Sequence, residues 1–384
     1  MRKSINMETQ IRKLYVEASS RCNLACKMCF RHSWIGERFG DLDPAVFARV
    51  LEDSAVSGTE TVFFGGMGEP LVHPALADMA ALAASYGKKV ELITNGTLLD
   101  RDRIKALLKA GVSRIWVSID EIYENYGKIQ IGSDFNLVRS NLEAFNAQRR
   151  GTGVRLGMTA VIMRDNIASL RRIRDFAESF EADDLNLSHI IPNRSEDVPQ
   201  ALWPMCDGAA IRAANEGKGP VWRIEKIDDG REIPMFKFSQ RYKEELFPDE
   251  KSLQEAELFS WKGKPIVRRM DYCRFIEEGH CFIRWDGDVS PCMGLLHTAD
   301  TFLNDHRRRI WHHSFGNVCK QSLCEIWNSE EYCSFRERVH QFYYAPCLFC
   351  GGCELLEENK ADCIGSLSPA CGGCLWGQGF AVCP

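Results

Sequence analysis

LYVEASSRCNLACKMC, residues 14–29, sets a short apolar run directly before three cysteines at positions 22, 26 and 29. Leu14–Glu17 reads as a strand, and a strand that feeds straight into a cysteine loop carries those thiols to one edge of a sheet. In a parallel sheet that is the carboxyl edge, where α/β folds keep their chemistry. Whether the sheet is parallel depends on how strands and helices alternate further along the chain. Strand-like runs recur at Thr61–Phe64, Lys89–Thr94, Arg114–Ile119, Arg155–Ile162 and Asp184–His189. Between them lie amphipathic runs at Pro44–Val56, Pro74–Tyr86, Asp102–Lys109, Phe135–Gln148 and Ile167–Phe180. Asp43 and Pro44 open the first of these as cap and first turn, and Gly111 closes the third. The alternation predicts six βα units and a partial (βα)6 TIM-like barrel.

The chain has 384 residues, 45% hydrophobic and 26% charged, enough for a sizeable core and for more than one domain. The expected division is a barrel over 1–194, a bridging region over 195–270, where periodicity fades, and a cysteine-rich domain over 271–384. A net charge of −5 leaves no basic footprint for nucleic acid or for an anionic membrane surface. No run of 18 apolar residues is present and Met1–Gln10 is polar, so a cytoplasmic location is expected. Seventeen cysteines are then too many to explain as disulfides, because clustered thiols in a reducing compartment more often bind metal. Three lie at 22–29, Cys206 stands alone, and thirteen fall between Cys273 and Cys383, which points to two kinds of metal site.

Three thiolates on one short loop leave one iron of a four-iron cubane without a protein ligand, and that iron can bind a cofactor or substrate. Structural zinc takes four closed ligands, and only His32 is near enough in sequence to be a fourth. Cys22, Cys26 and Cys29 after a first strand resemble the signature of the radical S-adenosylmethionine (SAM) superfamily. Two later segments agree in order. Gly65-Gly66-Met67-Gly68-Glu69-Pro70, at the end of the second strand, is similar to the family's glycine-rich segment, whose backbone and acidic residue hold the SAM amino group. Adjacent glycines let a backbone approach a ligand closely, and Glu69 offers an ammonium acceptor. Ser118 and Asp120 share one face of the fourth strand and resemble the position that reaches the SAM ribose. Thr94-Asn95-Gly96 ends the third strand at the edge facing the site, where turn formation is the simpler reading and a binding role for Asn95 the alternative.

Cys273 and Cys292, with Gly287 between them, resemble the opening of the SPASM extension, which holds auxiliary clusters in many radical SAM enzymes. Trp285–Val289 reads as a hairpin turning on Asp286-Gly287. Cys347, Cys350, Cys353, Cys363, Cys371, Cys374 and Cys383 come next, at spacings that depart from the usual SPASM pattern. A zinc-ribbon-like domain is the alternative, since paired cysteine knuckles also suit zinc. Cys281, Cys319, Cys324 and Cys333 lack knuckle spacing and read as packing residues or spare thiols, Cys206 as a small buried hydrophobe. Glu325–Phe342 reads as one helix. Arg307-Arg308-Arg309 with His312 and His313 suits a solvated charged loop better than a phosphate site, and Trp116, Tyr123 and Tyr126 suit core or barrel wall.

The resemblance implies a 4Fe–4S cluster on Cys22, Cys26 and Cys29, bound SAM, and one or two auxiliary clusters. It also implies a low-potential electron donor, ferredoxin or flavodoxin. Met293 stands after Cys292 where sulfatase-maturing relatives carry an acidic base, which weighs against that activity. The segments Ser314–Val318 and Cys347–Pro384 are similar to the branch that matures tungsten-containing oxidoreductases or their pterin cofactor. A modifier of a precursor peptide is the alternative enzyme, and a non-catalytic iron–sulfur or zinc scaffold the alternative of another class.

Overall fold

The computed structural model describes residues 10–53, 56–202, 260–261, 264–265, 271–303, 306–345, 347 and 353–384. Most of the bridging region, Cys206 and Cys350 lie outside them. Six parallel strands carry the first half: β1 (Lys13–Val16), β2 (Thr61–Phe64), β3 (Lys89–Thr94), β4 (Val112–Ser118), β5 (Arg155–Ile162) and β6 (Asp184–His189). The intervening helices are α1 (Pro44–Glu52), α2 (Leu76–Ser85), α3 (Arg101–Lys109), the single turn α4 (Tyr126–Ile129), α5 (Phe135–Arg149) and α6 (Leu170–Ser179). Aspartates start three of them: Asp43 accepts from Ala45 N, Asp100 from Arg103 N and Asp134 from Asn136 N, each at 2.8 Å. Gly111, at φ +80°, ends α3 in the left-handed conformation that lets glycine close a helix.

Strand periodicity sorts the core into two sides. Leu14, Val16, Val62, Phe64, Ile115 and Val117 pack outward under the helices in one cluster. Their alternate neighbours Tyr15, Phe63 and Trp116 point to the opposite face and form a separate aromatic cluster with Phe275 and Phe282. Tyr15 stacks on Phe282 with ring centroids 4.3 Å apart and meets Phe63 at 4.8 Å. Each such buried ring contributes about 1.5–3 kcal/mol, so this part of the barrel interior is packed with aromatic rings, and Phe63 also lines the cleft.

The sheet grows past six strands. Two-residue strands β7 (Ser260–Trp261) and β8 (Lys264–Pro265) form a separate pair. Further on, β9 (His280–Ile283) lies parallel to β1, and β10 (Val289–Ser290) turns back antiparallel on β9. The order is β10-β9-β1-β2-β3-β4-β5-β6. An unpaired edge on β1 would leave backbone donors and acceptors unsatisfied, and the cysteine-rich segment covers it. The expected hairpin is present, with Gly287 at φ +89° in its turn. At the other edge, His189 N donates to Phe380 O at 3.0 Å and Val382 N to Ser188 Oγ at 3.1 Å. The barrel is thus bordered on both sides by the carboxy-terminal part of the chain.

Two readings of that part are corrected. The helix expected over Glu325–Phe342 is two, α8 (Leu323–Trp327) and α9 (Glu330–Gln341), the short helix Arg274–Glu277 being α7. Asn328 and Ser329 break it: Ser329 is extended and accepts from Tyr332 N, so a cap replaces the continuing turn. The triplet Arg307–Arg309 is no solvated loop. It lies in β12 (His306–Ile310), paired with β11 (Ala299–Leu303), and Arg308 is 2% exposed. Among the described residues no helix is long and apolar enough to cross a membrane.

Candidate active site

The loop after β1 is held from several sides. Ala25 N and Lys27 N donate to Ile131 O and Ile129 O at 3.0 and 2.8 Å, and Cys29 N to Cys26 O at 3.0 Å. Arg194 reaches Lys27 O at 2.6 Å and Asn193 reaches Met28 O at 3.0 Å. His32 Nε2 lies 2.9 Å from Cys26 O, which ties that ring to the backbone of the cysteine loop. Cys22, Cys26 and Cys29 line one cleft with Gly66, Gly68, Glu69, Ser118 and Asp120. Residues from the carboxyl ends of β2 through β6 contribute to its wall.

The glycine-rich segment meets the chain as much as the cleft. A Cβ on Gly68 would lie 2.1 Å from Ser19 O and 2.7 Å from Arg21 O. Glycine is required there so that the segment can dock on the loop that leads to Cys22, and Glu69 N donates to Arg21 O at 2.7 Å. A Cβ on Gly65 would strike Phe63 and Ile93 at 2.4 and 2.8 Å, and Gly65 is not in the cleft wall. Glycine is thus required at position 65 for packing against these two side chains, beside its expected approach to the cofactor.

Glu69 and Asp120 are 2% and 4% exposed, and both face the cleft. Glu69 accepts from Leu71 N at 3.0 Å and from Asn95 N at 2.7 Å, while Asp120 accepts from Val161 N at 2.8 Å. Burial pushes each carboxyl up to about 7 in spite of these donors. No lysine or arginine among the described residues forms an ion pair with either. Two uncompensated acids in the wall suit a cationic ligand, and SAM brings both an ammonium and a sulfonium. Burial also pushes the Cys22 and Cys26 thiols up, with Asp120 acting in the same direction on Cys26. Metal binding displaces the proton of a thiol, and all three sulfur-bearing residues open on the same cleft, so the donor set fits the cluster expected from the sequence.

Asn95 was weighed as a turn residue or a binding residue, whereas His189, Glu17 and His297 escaped the sequence reading. Asn95 Nδ2 lies 3.8 Å from Cys22 Sγ and 2.9 Å from Asn23 Oδ1, giving Asn95 a role beyond its turn. His189 lines the cleft at the end of β6, a position that the barrel rule for strand ends singles out. Glu17 and His297 had no local signal. His297 Nε2 lies 3.0 Å from both oxygens of Glu17 and Nδ1 lies 3.0 Å from Glu37 Oε2. Glu17 in turn accepts from Met67 N at 3.1 Å, which ties the glycine-rich segment to the carboxy-terminal part.

The remaining cysteines separate by place. Cys273, Cys292, Cys371 and Cys374 sit within electrostatic reach of one another. Burial pushes Cys273 up to about 12, with Cys374 adding to it, and holds the other three up as well. Cys292, Cys371 and Cys374 line a second cavity that shares Phe30, Met67, Ile191 and Trp376 with the cleft as a common wall. Cys347 faces Arg308 nearby, whereas Cys353 and Cys363 are exposed. Cys383 lies apart from this group, in the cleft itself, where Trp376 donates to its sulfur. Cys281 is a buried strand residue, Cys319 is exposed, and Cys324 and Cys333 are partly exposed. Trp116 and Tyr126 are buried as expected, while Tyr123 is 51% exposed.

A parallel barrel with three thiols, a glycine-rich segment and buried acids at its carboxyl edge defines a class that known proteins confirm. The model of the radical SAM superfamily matches residues 16–177, and that of an iron–sulfur cluster-binding domain, SPASM, matches residues 273–354. The chain belongs to the radical SAM superfamily and is an enzyme with a SPASM domain, a combination that carries 4Fe–4S clusters and binds SAM. Among individual proteins it is similar to the tungsten-containing aldehyde ferredoxin oxidoreductase cofactor-modifying protein of Pyrococcus furiosus. The two are 28% identical over 381 residues, covering 97% of this chain and 96% of that protein. A PqqA peptide cyclase of Gluconobacter oxydans is 30% identical over 178 residues, 46% of this chain and 48% of that one. Among solved structures, Streptococcus suis SuiB bound to precursor peptide SuiA shares the fold with a TM-score of 0.56 at 16% identity, over 90% of this chain and 71% of that chain.

Proposed function

We propose that this enzyme uses SAM radical chemistry in the maturation of a tungsten-containing oxidoreductase or its pterin cofactor. The observation that carries the reading is the nearly end-to-end likeness to the Pyrococcus furiosus cofactor-modifying protein, which spans barrel, middle and cysteine-rich part alike. The chemistry that the cluster and SAM supply when bound is one-electron cleavage of the sulfonium, giving methionine and a 5′-deoxyadenosyl radical able to take a hydrogen atom from the substrate. In this reading Cys22, Cys26 and Cys29 hold the cluster. Glu69 accepts the SAM ammonium with the lone pairs that Leu71 N and Asn95 N leave open. Ser118 and Asp120 meet the ribose, and the Gly66–Gly68 backbone flanks the methionine moiety. The apolar side chains Phe30, Phe63, Ile93, Ile190 and Met293 keep water from the reacting centre. Cys273, Cys292, Cys371 and Cys374 hold auxiliary iron.

The peptide cyclases among the relatives favour precursor-peptide modification as a second reading. One experiment tests the chemistry and separates the substrates. The protein is reconstituted anaerobically with iron and sulfide, given dithionite and SAM, and assayed for 5′-deoxyadenosine and for iron per chain. Cys26→Ala is expected to reduce deoxyadenosine to background while the carboxy-terminal iron and the fold persist; undiminished activity overturns the ligand role. Deoxyadenosine formation stimulated by an immature tungsten oxidoreductase or its pterin supports maturation, and stimulation by a precursor peptide alone supports the second reading.

A further inference from the structure

Three consecutive arginines in β12 divide by strand alternation. Arg307 and Arg309 turn to one side and both pair with Asp300, Arg307 Nε at 2.7 Å and Arg309 Nε at 3.1 Å. Arg308 turns to the other and is buried at 2% exposure. A guanidinium in the interior is costly unless an anion accompanies it. Here Nη1 donates to Leu356 O at 2.8 Å and Nη2 to Ala370 O at 3.3 Å, while Nε is buried with no partner. Among the described residues no carboxylate lies at ion-pair distance. Asp362, the acid on that side, accepts from Ala345 N, Ile364 N and Ser366 N.

The groups that act electrostatically on Arg308 are the sulfurs of Cys347, Cys374 and Cys371 and, to a smaller extent, Asp362. The Cys371-Gly372-Gly373-Cys374 turn is shaped to receive it: a Cβ on Gly373 would lie 3.3 Å from Arg308 Cζ and 3.4 Å from Nη1. Arg308, Cys292, Cys371 and Cys374 line the same cavity. A buried cation seated on a cysteine turn, with a donor left over and its nearest acid engaged by three backbone amides, is a site short of an anion at contact distance. Thiols supply that anion when a metal deprotonates them, and a thiolate-bound cubane is anionic as a whole.

We infer that Arg308 is the buried counter-charge of an iron–sulfur cluster held on the Cys371–Cys374 turn, and that it raises the reduction potential of that cluster. This rests on the reading that the carboxy-terminal thiols bind iron. A fixed positive charge favours the state carrying the extra electron, and a planar guanidinium can donate to sulfur while packed flat on the glycine turn.

The test uses the full-length chain carrying Cys22, Cys26 and Cys29 as alanine, so that the signal comes from the remaining iron. It is reconstituted anaerobically, and the iron signal is tracked by electron paramagnetic resonance through a potentiometric titration. Arg308→Met is expected to keep its iron and to shift the oxidised-to-reduced ratio at a given potential by about tenfold, about 59 mV for one electron, toward the oxidised state. Arg308→Lys, which keeps the charge, is expected to titrate near the parent. An unchanged midpoint in Arg308→Met overturns the inference, as does equal unfolding of both variants by circular dichroism, which would make shape rather than charge the requirement. A Cys371→Ala/Cys374→Ala variant with an undisturbed titration also overturns it, by removing the cluster from that turn. Absence of iron from the triple-alanine parent identifies failure of the iron reading instead, and SAM cleavage by the unmodified protein is scored separately.

Discussion

The barrel and the cysteine-rich part solve the same problem, holding thiols in a fixed array, by different means. In the barrel, repeated parallel pairing sets the strand ends level, so one loop per strand suffices to bring Cys22, Gly68, Glu69, Ser118 and Asp120 to one cleft. In the cysteine-rich part the regular elements are a few short strands and helices. Cys273 and Cys292 meet Cys371 and Cys374 through loop packing across distant stretches of chain. The comparison teaches that a site built on repeated backbone geometry can be located from local sequence, whereas a site built on loops depends on individual long-range contacts such as the pair made by His297 and Glu17.

Substitutions test whether the two regions differ in this way. The largest effect is expected at Gly68, where the barrel site depends on a backbone-to-backbone approach. Because a Cβ would lie 2.1 Å from Ser19 O, Gly68→Ala must push the cysteine loop aside. A displacement of that order costs about a hundredfold in rate, measured as deoxyadenosine formed per minute at full iron loading. A near-normal rate would show that the loop and the segment are not rigidly coupled.

The next effect is expected at the joint between the two regions. Burial works against the charge of His297, but Glu17 and Glu37 outweigh it and push it up to about 9. Its folded value is raised, so the stabilisation is full below the ordinary histidine range and is lost as pH rises through about 9. His297→Gln leaves Glu17 without its partner in the interior, a loss of about 3–5 kcal/mol for a broken buried pair. Anaerobic urea denaturation should show that loss near pH 7 and a smaller one above pH 9. Adding Glu17→Gln to His297→Gln should restore part of the stability, since two neutral amides need no counter-charge; a double variant weaker than the sum of its parts would refute the ionic account.

The smallest effect is expected at Cys319, which is exposed and outside both thiol groups. Cys319→Ser should change stability by no more than about 0.5 kcal/mol and leave iron per chain unaltered. A drop in iron would mean that the ligand set extends to surface thiols and that the contrast between buried and exposed cysteines does not hold.

Much of the barrel was legible because its signals are short in range. Four of the six strands, Thr61–Phe64, Lys89–Thr94, Arg155–Ile162 and Asp184–His189, have the bounds read from sequence. Caps such as Asp43 act within three residues of where they are written. Asn328-Ser329 was misread because helical periodicity runs across it while the caps compete locally. Arg308 was misread because three charges in a row suggest a surface, and only pairing with β11 reveals which of them turns inward.

The class of protein is written in local sequence: cysteines, glycine-rich turn and polar strand end lie at the carboxyl ends of the first, second and fourth strands, and each is a property of neighbouring residues. Tertiary structure alone decided that β9 completes the barrel sheet beside β1, that Cys383 belongs with the cleft, that Gly68 serves the cysteine loop, and that Arg308 sits on the Cys371–Cys374 turn. Each of these joins residues far apart in the chain, and their partners are selected by burial and by the need to satisfy buried charge and edge hydrogen bonds, which no local pattern encodes.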